Sequence, residues 1–145
     1  MSDPPDGYSF LPYDEGLQQA QARGKKVFLY FGREGCAWCQ IVNEKAFGDP
    51  ALKKRYTDHY VLVYADSEGG RRLQLPSGER ITESELGVRF KAFATPLFAW
   101  LEPTGEVIFT APGVQTVKDF EKYDRFVYEG IYKKMNAKQF LAENP

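Results

Sequence analysis

The stretch Val27-Phe-Leu-Tyr-Phe31-Gly-Arg-Glu-Gly-Cys36-Ala-Trp-Cys39 decides the fold. Five consecutive apolar or aromatic residues read as a strand buried on both faces, at the centre of a mixed or parallel sheet. Gly32 through Gly35 make a turn, and from Ala37 the apolar spacing is helical, through Trp38, Ile41, Val42 and Ala46. Cys36 then opens that helix and Cys39 lies one turn in. A helix N-terminus presents unpaired N–H groups and a partial positive charge, and both favour a thiolate over a thiol. Such a thiolate attacks a disulfide, and a second thiol three residues on resolves the mixed disulfide. The chain has no other cysteine. A static disulfide or two inert buried thiols stay open as plainer readings, although a turn at a strand end is a poor place for an inert cysteine. A zinc site is disfavoured and no metal is expected, because structural zinc takes four ligands and the chain adds one distant histidine, His59. His59 itself reads as a surface residue ahead of the next strand rather than a catalytic base.

Outward from this stretch, residues 1–12 read as an extended arm whose Tyr8, Phe10 and Leu11 pack onto the body. A helix follows from Asp14 to a stop at Gly24. Gly48-Asp49-Pro50 predicts a kink or break in the helix after Cys39, which otherwise runs to about Tyr56. Tyr60–Ala65 is a second buried strand. Residues 66–80 read as an irregular insertion with a small hairpin, and Thr82-Glu-Ser-Glu85 as a capping box for a helix ending near Lys91. Thr95-Pro96 precedes two further strands, Leu97–Leu101 and Val107–Phe109, joined at Pro103-Thr-Gly105 as an antiparallel hairpin. Ala111-Pro-Gly113 reads as a turn. A helix from Thr116 aligns Phe120, Tyr123, Val127 and Ile131 on one face, and a short helix from Ala137 carries Phe140 and Leu141. The order is that of a single α/β sandwich, a central mixed sheet with helices on both faces.

At 145 residues, 43% apolar and 15% aromatic, the chain is long enough for one well-filled core and unlike a disordered one. A net charge of -1 argues against a nucleic-acid surface and gives no electrostatic case for a membrane surface. No apolar run approaches the roughly 18 residues of a membrane helix, so no membrane insertion is expected. Met1–Pro5 lacks a basic-then-apolar leader, which leaves a cytoplasmic protein or a mature exported one as readings.

Together, the Phe31-Gly-Arg-Glu-Gly-Cys-Ala-Trp-Cys39 turn, the later Ala94-Thr-Pro-Leu-Phe98 and the glycine-containing hairpin resemble the thioredoxin superfamily over about residues 14–134. The insertion at 66–80 and the ending around Gly113, Phe120, Phe126–Lys133 and Phe140-Leu141 resemble SoxW-type thioredoxins, exported proteins associated with bacterial sulfur oxidation. The resemblance implies a thioredoxin fold with an arm (1–13), the insertion (66–80) and a C-terminal extension (135–145). It also implies a thiol–disulfide oxidoreductase without metal or organic cofactor. Cys36 would be the exposed attacking thiolate and Cys39 the more buried resolving thiol. Pro96 would be cis against the disulfide, with the Thr95 backbone pairing to an extended substrate segment. Ala37 and Trp38 would tune the pair, Trp38 offering a contact surface or, on the plainer reading, packing on a loop as a helix-surface aromatic. The implied partners are a protein or small-molecule disulfide and a dithiol electron donor, the implied state a monomer, and the implied compartment the periplasm. A disulfide-introducing oxidase or isomerase, or a binding module with a structural disulfide, are the alternatives. Two departures stand out. Ala37-Trp38 replaces the Gly-Pro of ordinary thioredoxins, and Tyr30 replaces the buried acid six positions before the first cysteine. The second leaves Glu34 as a candidate for proton transfer, against the plainer reading of a solvated turn charge.

Overall fold

The computed structural model describes residues 3–145; Met1 and Ser2 of the expected arm lie outside the described residues. Strand β1 (Lys26–Gly32) pairs in parallel with β2 (Tyr60–Asp66) and antiparallel with β5 (Leu97–Leu101), which pairs antiparallel with β6 (Val107–Pro112). The sheet order is therefore β2-β1-β5-β6, and the uninterrupted apolar run of β1 occupies an inner position. Because successive side chains alternate across a sheet, that run feeds two cores at once. Phe28, Tyr30, Leu62, Phe98 and Trp100 face helices α2 (Ala37–Lys45), α3 (Pro50–His59), α5 (Val117–Tyr128) and α6 (Ala137–Glu143), through Val42, Leu52, Phe120 and Phe140. Val27, Leu29, Phe31, Val63 and Ala99 face α1 (Tyr13–Arg23) and α4 (Glu83–Arg89), through Leu17 and Leu86. The first core is built largely of stacked and edge-on rings, Phe28 alone meeting Phe98, Trp100, Tyr56 and Phe120.

Leu11 of the arm completes the edge beyond β2. Its N–H donates to the Leu62 carbonyl and its carbonyl accepts from Tyr64, a parallel bridge to Val63. Tyr8 donates to the Phe47 carbonyl at 2.8 Å, and Phe10 lies edge-on to Tyr30 and Tyr64. The arm thus packs against the end of α2 and the strand that leads into it.

Several expectations are sharpened or corrected in detail. The break allowed for at Gly48-Asp49-Pro50 is made, dividing the helix that Cys36 opens into α2 and α3. Asp49 caps the new helix by accepting from Leu52 N–H, with Pro50 at its first position. At Gly48 a Cβ would lie 2.4 Å from the Glu44 carbonyl oxygen, so only glycine lets the chain leave α2 there. The insertion is a two-stranded hairpin, β3 (Arg72–Gln74) with β4 (Arg80–Thr82), extending past residue 80. The predicted capping box at Thr82 is half made. Its hydroxyl accepts from Glu85 N–H, but the Glu85 carboxylate turns to that hydroxyl instead of the backbone. The reciprocal box sits at Thr116 and Asp119. Ala111 and Pro112 remain in β6, opposite Phe98 and Leu97, because an edge strand tolerates a missing N–H. Ile131 leaves the α5 face: Gly130, at φ 78°, ends the helix two residues after Tyr128 and turns the chain into a 3-10 segment, Ile131–Lys133.

His59 is not a plain surface residue. Its ring stacks on Tyr128 at 3.5 Å, and its Nδ1 lies 3.0 Å from each oxygen of Asp124, a carboxylate buried on α5. The Tyr60 hydroxyl donates to the same carboxylate at 2.6 Å and Arg55 Nη1 at 3.3 Å. This cluster joins α3, β2 and α5.

Candidate active site

Three loops converge on the two cysteines. The first is the turn from β1 into α2. Cys36 is the N-cap of α2, in extended conformation, and its Sγ accepts from the Cys39 N–H at 3.1 Å, so a sulfur does what a serine or aspartate oxygen does at other helix starts. The two sulfurs are joined in a disulfide. The second loop runs from α4 to β5. Lys91 at φ 59° takes the left-handed position that ends α4, with its N–H on the Val88 carbonyl and the Ala92 N–H on that of Gly87. Phe93, Ala94 and the cis Thr95–Pro96 pair follow. The Thr95 side chain is buried, and its hydroxyl donates to Cys36 Sγ at 3.2 Å. The third loop follows β6, where Gly113 N–H donates to the Pro96 carbonyl at 2.9 Å and fixes the approach of Val114.

Cys36 Sγ therefore faces two donors. Both strengthen as the sulfur gains negative charge, so both favour the thiolate once the disulfide opens. The family resemblance implied a substrate contact for the Thr95 backbone; the structure adds its hydroxyl as a contact to Cys36 Sγ. The expected contrast in exposure between the cysteines is absent in the disulfide state. Both are buried, at 6% and 5%, because Thr95 and the cis-proline loop lie over Cys36. What separates them is hydrogen bonding to sulfur. Replacing Thr95 with valine keeps the shape and removes the O–H. We expect the rate of Cys36 alkylation below pH 7 to fall by about tenfold, the effect of one hydrogen bond to a charged group. Iodoacetamide labelling of the reduced protein across pH checks this, with the Cys39→Ala background isolating one thiol.

Of the other predicted residues, Ala37 and Trp38 are exposed, Trp38 at 63%. Glu34 is exposed on the turn and lies on the rim of a polar cavity of about 620 Å³ that reaches both cysteines and is also lined by Gln40 and Asn43. Phe93, 71% exposed, and Val114, 42% exposed, were missed. With Trp38 in the first turn of α2, they put one bare apolar side chain on the α2 start and on each of the other two loops. A phenylalanine two residues before the Thr-Pro pair was the available signal. Tyr30, placed by β1 beneath α2, was also missed as a positive feature. Its hydroxyl donates to Asn43 Oδ1 at 2.7 Å and lies 3.4 Å from the Cys39 carbonyl oxygen. Among the described residues no group of three or more His, Cys, Asp or Glu side chains is arranged to hold a metal ion.

A strand-turn-helix carrying CxxC at the helix start, faced by a Thr-cis-Pro loop on a four-stranded mixed sheet, is matched over residues 13–128 by the family of thioredoxin-like domains. The chain belongs to that family. Among solved structures, this thioredoxin-like domain is similar to a thioredoxin-fold protein from Helicobacter pylori, with TM-score 0.72 and 20% identity, over 82% of this chain and 78% of that one. It is also similar to a thioredoxin from Thermus thermophilus, with TM-score 0.67 and 28% identity, over 83% and 86% of the two chains. Among curated proteins it is 21% identical, over 89 residues and 61% of its length, to spermatogenesis-associated protein 20 of Mus musculus. The matched region is only 11% of that relative's length.

Proposed function

We propose that this thioredoxin-like domain is a disulfide reductase. Its dithiol passes two electrons to a protein or small-molecule disulfide and is restored by a dithiol donor. The observation that carries the reading is the placement of Cys36 Sγ, at a helix N-cap, with the Cys39 N–H and the Thr95 hydroxyl both aimed at it. The Cys36 thiolate attacks one substrate sulfur, the new S–S bond forms as the substrate disulfide breaks, and one substrate thiolate leaves. The Cys39 thiolate then attacks Cys36 Sγ, closes the Cys36–Cys39 disulfide and releases the second substrate thiolate, which takes up a proton. Every atom of this cycle belongs to the chain or its substrate, so it calls for no cofactor.

Trp38, Phe93 and Val114 support protein disulfides as the preferred substrates. Bare aromatic and aliphatic side chains around a reactive disulfide gain most by burial against an apolar segment of a partner chain. The SoxW-like ending supports an exported protein serving bacterial sulfur oxidation. A second reading, a disulfide-introducing oxidase, draws on the same two donors, since a more stabilised Cys36 thiolate makes the pair more oxidising.

The test is dithiothreitol-driven reduction of insulin. The protein should raise the rate well above the dithiothreitol background, and a rate left at that background ends the proposal. Phe93→Ser should lower kcat/KM for insulin by about fivefold, from the lost burial of part of one aromatic ring. It should leave the rate with hydroxyethyl disulfide within a factor of two, as expected for about the loss of a contact too remote to touch a small substrate.

A further inference from the structure

Beneath the active-site helix the structure places a neutral pair, Tyr30 and Asn43. Tyr30 is fully buried in the middle of β1. Its ring is held by Phe98 at 4.8 Å, Tyr64 at 5.0 Å, Phe47 at 5.6 Å and Phe10 at 6.3 Å, so the hydroxyl has one direction to point. That direction is the underside of α2. A phenol has one proton, and the 2.7 Å contact to Asn43 Oδ1 takes most of it; the 3.4 Å contact to the Cys39 carbonyl shares the remainder. Burial, with Tyr64 adding to it, pushes the Tyr30 phenol far above its ordinary range, so the group stays a donor throughout the working pH range. Asn43 lies one turn beyond Cys39 on the same helix and lines the same cavity as both cysteines.

The first turn of α2 is consequently fastened from two sides. The disulfide and the N–H···Sγ bond hold it at Cys36, and the Tyr30 hydroxyl holds it at Cys39 and Asn43. When Cys36 forms a mixed disulfide, the intramolecular S–S bond is gone, and beside the backbone bonds of α2 the Tyr30 hydroxyl remains as the tie beneath the Cys39 turn. We infer that Tyr30 is the positioning residue for Cys39 in the resolving step, acting through Asn43 and the first turn of α2. A small displacement of a reacting group from its attack geometry costs far more in an intramolecular step than in an encounter from solution. The role should therefore appear in the second step of exchange and be silent in the first.

This inference rests on the dithiol reading, and the experiment separates the two. Reduced protein is mixed with one equivalent of 5,5′-dithiobis(2-nitrobenzoate) in a stopped-flow instrument. The first thionitrobenzoate release reports attack by Cys36. The second, independent of reagent concentration, reports attack by Cys39 on the mixed disulfide. Wild-type protein without a concentration-independent second phase contradicts the dithiol cycle itself. Given that phase, Tyr30→Phe, which keeps the ring, should slow the second release by about tenfold, of the order of one well-placed hydrogen bond. The first release should stay within about twofold. Asn43→Ala should slow the second phase several-fold, and the double variant should be no slower than Tyr30→Phe alone, because both changes remove one interaction. A thermal melt accompanies each variant. A purely structural role would shift the melt and leave the ratio of the two phases unchanged. That result, equal slowing of both phases, or additive losses in the double variant would overturn the inference. Should Tyr30→Phe not fold, Asn43→Ala on the half-buried helix face carries the test: an unchanged second phase overturns it.

Discussion

Replacing Cys36 with serine should remove insulin reduction to the uncatalysed level, a loss on the order of 10³-fold or more, as when a nucleophile is deleted from a catalytic unit. Replacing Cys39 with serine should give a different result. Cys36 still attacks, one equivalent of substrate thiol is released, and the protein stops as a mixed disulfide. The asymmetry follows from the site. Cys36 Sγ is the sulfur that accepts from the Cys39 N–H and the Thr95 hydroxyl, and the backbone donor survives a change of the Cys39 side chain. Non-reducing electrophoresis after incubation with insulin checks this. Cys39→Ser should carry an insulin chain that dithiothreitol releases, and Cys36→Ser should carry none. Traps of equal yield in both variants would mean that the two sulfurs are interchangeable, and the assigned order of attack would be wrong.

The second large effect is on stability and lies away from the disulfide. Asp124→Ala should destabilise the fold by about 3 kcal/mol, the lower end of the cost of breaking a buried ion pair, since Arg55 and His59 keep some access to water. Three groups lose their acceptor together. The Tyr60 hydroxyl suffers most, because Tyr60 is buried, as is the Asp124 carboxylate it donates to. For a chain of this length the melting temperature should fall by roughly 10 °C. Asp124→Asn retains an oxygen for Tyr60 and should lose less. Below its own transition each variant should reduce insulin at the wild-type rate, since the cluster joins α3, β2 and α5 and none of its hydrogen bonds goes to either cysteine. Thermal denaturation followed by circular dichroism, with activity assayed at a temperature where both variants are folded, reads both expectations. A melting temperature unchanged in Asp124→Ala would mean that the cluster contributes nothing net.

Much of the fold was legible because its strongest signals are local. Val27–Phe31 is too continuously apolar for an edge strand, and it takes an inner place in the sheet. Gly48-Asp49-Pro50 marks a helix boundary by its own chemistry, a close carbonyl, a cap and a first-turn proline. Cys36 and Cys39 were legible for the same reason, since three residues of helix suffice to place one sulfur against the other. What escaped is what folding brings together from afar. Asp124 meets His59 from 65 positions away, and on the helix pattern it passed unremarked beside the lysines and glutamates of the outer face. Thr95 meets Cys36 across 59 positions, and its hydroxyl could be assigned only once the loop was seen over the sulfur. Tyr30 was noticed for the acid it replaces. What it does instead became visible only with α2 laid across β1 and Asn43 above its hydroxyl. Pro112 was read by the usual meaning of Pro-Gly, a turn, and the edge position that lets it stay in β6 is a property of the whole sheet.

The reduction potential of the Cys36–Cys39 pair tests the central claim most directly. The protein would be equilibrated against graded ratios of reduced and oxidised dithiothreitol or glutathione, quenched in acid, and its free thiols counted by alkylation and mass. A reductase requires a value in the range of thioredoxin, roughly -270 mV. A value near the strongly oxidising end of the family's range, roughly -120 mV, would contradict it and assign the domain to disulfide introduction. A pair that opens only when the protein unfolds would contradict any redox cycle at this site.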